Sequence, residues 1–271
     1  IWAATMVDGQ PFLDADAIRE ATFVRSVELY DTLPSTNDRA VALAAERDLE
    51  TPALVVTLLQ TAGRGRGTNT WWAAEGALTF SLILDTGQWG IAQRDWPRLS
   101  LTTAVAVCDA LSELAPRNSL AIKWPNDVLL DGSKVAGILI ESPSNASHTE
   151  NRLVVGVGMN VNNSRQSAPR EVKATSVALC DATGRECDVR PILVGFLTAL
   201  EARMKQLAAN DRSLAETWQQ RSWLTDQEVI ITANGQSFEG RCLGIADDGA
   251  LLVERLLATE RVYSGTVRSL E

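Results

Sequence analysis

Between two apolar runs, Leu54 to Leu59 and Ala77 to Leu84, the chain carries Gln-Thr-Ala-Gly-Arg-Gly-Arg-Gly-Thr-Asn-Thr-Trp-Trp at positions 60 to 72. Apolar runs of that length read as buried strands, so the segment must be a loop joining two strands that pair back on each other. Its glycines let the backbone turn tightly and bring N–H groups close to a ligand. Arg64 and Arg66 offer guanidinium forks that suit carboxylate or phosphate. The rings of Trp71 and Trp72 can stack on a flat group. Three readings compete on this stretch alone: a ligand loop, a disordered glycine-arginine tail of the RNA-binding kind, or a plain glycine-rich turn. The flanking strands and the shortness of the repeat count against a tail.

A later strand, Leu153 to Val161, carries Gly156 and Gly158 two residues apart. Side chains alternate along a strand, so both glycines clear the same face, and something must pack closely there. Before it, Ala121 to Leu130 and Lys134 to Glu141 flank an Asp131-Gly132 pair that predicts a hairpin. Lys123 and Lys134 then lie near one end of that hairpin. With Arg64 and Arg66 they can neutralise a triphosphate and the charge that develops when a carboxylate attacks an α-phosphate. Asn126 and Asp127 offer oxygens to a magnesium ion. Each lysine reads equally well as a solvated strand end. No Gly-Lys-Ser/Thr follows the glycines, which excludes a Walker P-loop.

Elsewhere the pattern is ordinary. A weak helical pattern covers Ala15 to Phe23, and Arg25 to Tyr30 reads as a short strand. Ser35 with Asp38 three residues on predicts a helix start before Ala40, Leu43 and Ala44. The same hydroxyls at a helix N-terminus also favour a polar or anionic group. Trp96 to Leu114 reads as a buried helix. Asp188 caps another, whose Ile192, Leu193, Phe196, Leu197, Leu200, Met204 and Leu207 recur at helical spacing. From Glu228 the chain changes to short strands, Glu228 to Thr232, Ser237 to Ile245, Ala250 to Glu254 and Arg261 to Val267, broken by Asn234-Gly235 and Asp248-Gly249 turns. This predicts two domains, residues 1–223 and 224–271, the second a small antiparallel barrel.

A net charge of -9 argues against a general nucleic-acid binder. No stretch reads as a signal peptide or membrane span, so a cytoplasmic protein is expected. Cys108, Cys180, Cys187 and Cys242 fall at no zinc or redox spacing. His148, the one histidine, sits in a polar turn and reads as incidental rather than as part of a triad.

Ser35-Thr36-Asn37, the loop from Gln60 to Gly67, Lys123-Trp-Pro-Asn-Asp127, Lys134 to Glu141 and Gly156-Val-Gly-Met-Asn160 together resemble, in order and spacing, the biotin protein ligases. The resemblance runs from about Tyr30 to the C-terminus. It implies an α+β fold, a mixed-sheet catalytic domain of the class II synthetase-like, biotin-lipoate ligase kind followed by an SH3-like barrel. It also implies a two-step reaction. Biotin and MgATP form biotinyl-5'-AMP, which then acylates one lysine of a biotin carboxyl carrier protein or domain.

Carried over residue by residue, Ser35, Thr36, Asn37 and Gln60 bind biotin, and the backbone from Gly63 to Arg66 covers its tail. Arg64 and Arg66 meet carboxylate and phosphates. Lys134 is central to adenylation and biotin binding, Arg66, Lys123 and Asp127 are catalytic with it, and Gly137 belongs to the biotin site. Lys123, Asn126 and Asn160 line the nucleotide side, Gly156 and Gly158 floor the biotin pocket, and Trp71 stacks near the adenine. Family members often pair into homodimers through the catalytic sheet.

Two departures stand out. Gly67-Thr68-Asn69-Thr70 is neutral where many relatives carry a further basic residue, and only thirty-four residues precede Ser35, too few for the winged-helix DNA-binding domain of the repressor members. A monofunctional ligase is therefore expected, with no nucleic-acid partner. The alternatives are a lipoate or octanoyl ligase on the same architecture, and a non-catalytic biotin-binding relative.

Overall fold

The computed structural model describes residues 6–7, 10–11, 13–115, 119–143, 149–233, 235–256 and 258–270. After a small antiparallel pair, β1 (Met6–Val7) and β2 (Gln10–Pro11), comes α1 (Ala15–Ala21), capped by the Asp14 carboxylate. The strands β3 (Ser26–Leu33) and β4 (Ala53–Gln60) then run parallel. A parallel pair needs a crossover, and α2 (Thr36–Ala44) supplies it. Every later pairing in this sheet is antiparallel: β5 (Leu78–Asp85), β9 (Arg152–Met159), β8 (Ser133–Glu141), β7 (Asp127–Leu130) and β6 (Leu120–Lys123) follow β4 across it. The sheet is thus mixed, with seven strands in the order β3-β4-β5-β9-β8-β7-β6.

Alternation gives this sheet two different faces. Leu54, Val56, Phe80, Leu82, Val155 and Val157 pack in the main core with α3 (Trp96–Ser112) and α6 (Val189–Ala208). On the opposite face Val55, Ile83 and Val154 meet Ala40, Leu43 and Ala44 of α2. That second apolar patch is short, and it leaves the rest of its face free for other chemistry.

Arg152 ties α2 in place. It is 8% exposed, and its Nη1 donates to Ala44 O (2.8 Å) and Glu46 O (2.5 Å), carbonyls that the end of the helix leaves without partners. A cation at a helix C-terminus also meets a favourable dipole. Replacing Arg152 with Met keeps the apolar stem and strands those carbonyls, so a loss of about 2–3 kcal/mol is expected in urea unfolding. An unchanged midpoint would show that water serves the carbonyls as well.

Between the large sheet and the C-terminal strands lie α4 (Arg170–Lys173), α5 (Leu179–Thr183), α6 and α7 (Arg212–Gln220). Helix α7 has no periodic signature in the sequence, because its buried residues, Leu214, Ala215 and Trp218, span barely one turn. The last five strands are β10 (Glu228–Ala233), β11 (Gln236–Ile245), β12 (Leu251–Arg255), β13 (Ala258–Val262) and β14 (Thr266–Ser269), ordered β13-β12-β11-β10-β14.

The expected single strand from Arg261 to Val267 is therefore broken into two, which lie at opposite edges. Gly265 marks the break, at φ 147° and with no room for a side chain: a Cβ would sit 2.6 Å from Thr232 O. Four Cα steps from Val262 to Thr266 reach about 15 Å at most. Five flat strands put their edges about 19 Å apart. The sheet must curl, and the small barrel expected at the C-terminus is the result.

The stretch Ala121 to Leu130 is likewise two strands, β6 and β7, folded back on each other at Trp124-Pro125-Asn126. The Asp131-Gly132 turn has the expected positive φ angles, 49° and 79°. Asn234 and His148 lie outside the described residues.

Candidate active site

Sheet registry assembles the site. Three rows cross the α2 face: Ala53, Ile83, Val154 and Glu141; then Val55, Ser81, Gly156 and Leu139; then Thr57, Thr79, Gly158 and Gly137, continued by Asp127 and Lys123. The first, apart from Glu141, belongs to the apolar patch under α2. The other two change to hydroxyls, glycines and charges, and over them opens a cavity of about 510 Å³. Of the residues expected at the site, Ser35, Thr36, Asn37, Gln60, Arg64, Arg66, Trp71, Lys123, Asn126, Asp127, Lys134, Gly137, Gly156, Gly158 and Asn160 all line it. Gly63 lies just outside, in the loop.

Lys134 and Lys123 are not at one end of a single hairpin. Lys123 ends β6 opposite Asp127, whereas Lys134 is the second residue of β8, opposite Leu129. What brings Lys134 to the same place is a β-bulge. Leu129 pairs with Lys134 and Val128 with Ala136, so Val135 is an extra residue on β8. A bulge re-aims the side chains around it, and here it lays Lys134 alongside Gly137, three residues on. Lys134 Nζ lies 2.7 Å from Asp127 Oδ1, off the line of a hydrogen bond, so that buried oxygen has no other partner.

The two strand glycines make room for side chains from elsewhere. A Cβ on Gly156 would overlap the amide of Asn37, and one on Gly158 would overlap the Trp71 indole. That indole lies across the cross-strand pair Gly137 and Gly158, with the Lys134 ammonium 5.6 Å from its ring centroid. Trp71 Nε1 is buried and unpaired.

Ser35 caps α2 through its hydroxyl. One residue on, Thr36 fixes Gln60: its N–H and Oγ1 both donate to Gln60 Oε1, at 2.7 and 3.1 Å. Asn37, 4% exposed, accepts from Ser81 (2.6 Å) and donates to Glu141 Oε2 (2.8 Å) and Leu139 O (3.2 Å). Its amide hydrogens are therefore fully used in building the floor.

The glycine-arginine loop folds as a hairpin, with Trp71 N–H donating to Gly63 O (2.9 Å) and Gly65 N–H to Asn69 O (2.8 Å). The neutral Thr68-Asn69-Thr70 forms its return arm, Thr70 pairing with Arg64. Gly63 allows the two arms to approach, because a Cβ there would lie 2.5 Å from Trp71 O.

The two arginines differ. Arg64 is ion-paired to Glu141 and to Asp38, and the Glu141 bond, opposed by some burial, raises its pKa. Arg66 has no carboxylate partner among the described residues. Burial draws its pKa down against the attraction of Asp127, and its Nη2 donates to the carbonyl of Gly265. Thr266 and Val267 beside that carbonyl line the cavity, so the C-terminal barrel forms one of its walls.

On the remaining side, Asn126 Nδ2 donates to Ile138 O (2.8 Å), and Asn160, 4% exposed, accepts from Asn163 Nδ2 (2.9 Å). Among the described residues no group of three or more His, Cys, Asp or Glu gathers to hold a metal. Asp127 and the Asn126 amide oxygen fit a magnesium ion that brings its other ligands with it, as one held by phosphates does. All four cysteines are free, and burial pushes the Cys108 thiol up to about 12.

Sequence reasoning passed over Ser81, Thr266 and Val267. For Ser81 a signal was present, since Thr79 and Ser81 interrupt an apolar strand at period two. For the barrel residues there was none, as their place depends on how two units pack.

Residues 29–160 match the model of the Biotin/lipoate A/B protein ligase family, and residues 225–268 that of the Biotin protein ligase C terminal domain. The chain is 33% identical to a biotin--[acetyl-CoA-carboxylase] ligase of Paracoccus denitrificans, over 81% of this chain and 90% of that protein. It is 32% identical to the corresponding ligase of Mycobacterium tuberculosis (90% and 88%) and 32% identical to the bifunctional ligase/repressor BirA of Bacillus subtilis (88% and 72%). Its fold matches the biotin protein ligase of Aquifex aeolicus solved with biotin and ATP, with a TM-score of 0.75 at 25% identity over 90% of this chain and 99% of that one.

Proposed function

This chain belongs to the biotin protein ligase family, and from that premise we propose how its residues divide the work. The protein activates biotin with ATP as biotinyl-5'-AMP and passes the biotinyl group to a lysine of a biotin carboxyl carrier protein. In the first step a biotin carboxylate oxygen bonds to the α-phosphorus, and the bond from that phosphorus to the pyrophosphate oxygen breaks. In the second the carrier amine bonds to the acyl carbon, AMP leaves with the bridging oxygen, and the amine gives up a proton.

Both reactants of the first step are anions, so the site must hold them together against their repulsion. Lys134, Lys123 and Arg66 supply the positive charge, aimed at the phosphorus and the leaving pyrophosphate. Asp127 keeps the Lys134 ammonium where the bulge places it. Thr36, Gln60 and Ser35 present polar edges to the ureido ring over the floor that Asn37 and the Trp71 indole make where they lie on Gly156 and Gly158. Trp71, Asn126 and Asn160 face the nucleotide side. Asp127 and Asn126 would hold a magnesium ion brought by ATP, which would supply charge neutralisation at the phosphates. The glycine-arginine hairpin excludes water from the mixed anhydride.

The observation that supports this reading above others is the third sheet row, where Gly158, Gly137, Asp127 and Lys123 stand side by side under the Lys134 and Arg66 cations. The C-terminal domain match and the named relatives favour biotin over lipoate. The boundary between the catalytic unit, residues 1–223, and the SH3-like unit, residues 224–271, is part of the same proposal. So is a cytoplasmic location, which the four free thiols favour. Among the described residues no helix is long and apolar enough to cross a membrane.

The test is direct. Purified protein given biotin, magnesium and ATP labelled at the α-phosphate is expected to form labelled biotinyl-AMP, and to biotinylate one lysine when a carrier domain is added. Octanoate or lipoate in place of biotin is expected to give neither. A protein that forms no adenylate and transfers nothing is not a ligase.

A further inference from the structure

Glu141 ends β8 in the first sheet row, beside the apolar patch under α2, and its two carboxylate oxygens point to different structures. Oε2 accepts from Asn37 Nδ2 at 2.8 Å, and Asn37 is a buried part of the pocket floor, itself held by Ser81. Oε1 is ion-paired with Arg64, the first arginine of the hairpin loop. Arg64 in turn reaches Asp38, one residue beyond Asn37 on α2. One carboxylate thus joins the immobile floor to the element that covers it.

This arrangement divides the two arginines. Arg64 already faces two carboxylates, so its charge is satisfied within the protein. Arg66 makes no ion pair among the described residues: it feels Asp127 only at longer range and gives its hydrogen bond to a carbonyl.

We propose that Glu141 is a positioning residue that registers the glycine-arginine hairpin over the pocket through Arg64, leaving Arg66 as the loop's cation for the activated ligand. The inference rests on the ligase reading for its kinetic consequence but not for its structural one. Neutralising Glu141 as Gln removes one of two acceptor oxygens, so the side chain satisfies either Asn37 or Arg64 but not both. The loop then loses its register while the sheet beneath stays intact.

The test uses the full chain in two arms. In the ligand-free protein, trypsin cuts after Arg64 and Arg66 only when the hairpin opens. Glu141→Gln is expected to speed that cleavage roughly three- to tenfold, the range for a half-exposed ion pair with one good hydrogen bond, and to leave the thermal midpoint within about 3 °C. Arg64→Gln, which leaves the floor untouched, is expected to expose the Arg66 site to the same degree, and the double variant is expected to be no more open than either single one.

In the catalytic arm, release of biotinyl-AMP into solution rises by the same factor in Glu141→Gln, while the first-turnover rate of its formation stays within about twofold. Additive effects of the two substitutions, or a cleavage rate equal to that of the wild type, would overturn the proposal. A wild-type protein that makes no adenylate would instead sink the ligase reading, and the tryptic arm would still decide the coupling.

Discussion

Replacing Lys134 with alanine is expected to lower the single-turnover rate of biotinyl-adenylate formation by roughly 10²- to 10³-fold, the loss that follows removal of one preorganised charge from a developing anion. The geometry explains why the effect is so large. Lys134 Nζ sits over the Trp71 ring and 2.7 Å from Asp127, so it is held before substrate arrives and spends nothing on reorganisation in the reaction. Its loss also strips the buried Asp127 oxygen of the ammonium beside it, and the carboxylate then repels the incoming phosphate.

Lys134→Arg is not expected to rescue activity, because a planar fork does not fit the space beside Gly137 that the lysine stem fills. Rates are measured by quench with labelled ATP at saturating biotin. A decrease of less than about threefold would remove Lys134 from the chemistry.

The second large effect is expected at Gly158. A methyl group there overlaps the Trp71 indole, which can then no longer lie on the sheet. Gly158→Ala is therefore expected to drive the ring off the Gly137–Gly158 pair, to cut adenylate formation by about 10²-fold and to cost about 1–3 kcal/mol of stability through overpacking. Gly195→Ala on α6 serves as control. A Cβ there meets nothing within 4 Å, and alanine in a helix interior is expected to stabilise by about 0.5–1 kcal/mol without touching activity. Intrinsic fluorescence of Trp71 is expected to shift in the first variant only. A fully active Gly158→Ala protein would mean that the indole leaves the sheet when substrate binds.

What the sequence displayed and what it hid differ in kind. The caps at Ser35 and Asp188, the Asp131-Gly132 turn and the paired glycines of β9 are local rules, each readable within a few residues. They were enough to place the strands and to mark one face of β9 as open. The occupants of that open face were not readable, because Asn37 and Trp71 arrive from segments about 120 and 90 residues upstream, brought in by the α2 crossover and the loop hairpin.

The bulge at Val135 was hidden for a sharper reason. Strict alternation puts Lys134 and Gly137 on opposite faces, and only the extra residue reverses that. The break at Gly265 was missed because Arg261 to Val267 has a strand-like composition, and it is the short reach between opposite sheet edges that ends the strand.

The three-residue step through Tyr263, Ser264 and Gly265 also sets a schedule. The floor of the site is complete in the chain once Met159 has been made, but the carbonyl that holds Arg66 and the wall at Thr266 and Val267 come about a hundred residues later. At ribosomal speed that interval is roughly 5 to 20 s. Until those residues are made, the site lacks that wall and the loop arginine lacks the carbonyl that holds it. The newborn protein becomes able to shield a reactive anhydride only as its last strand zips onto β10.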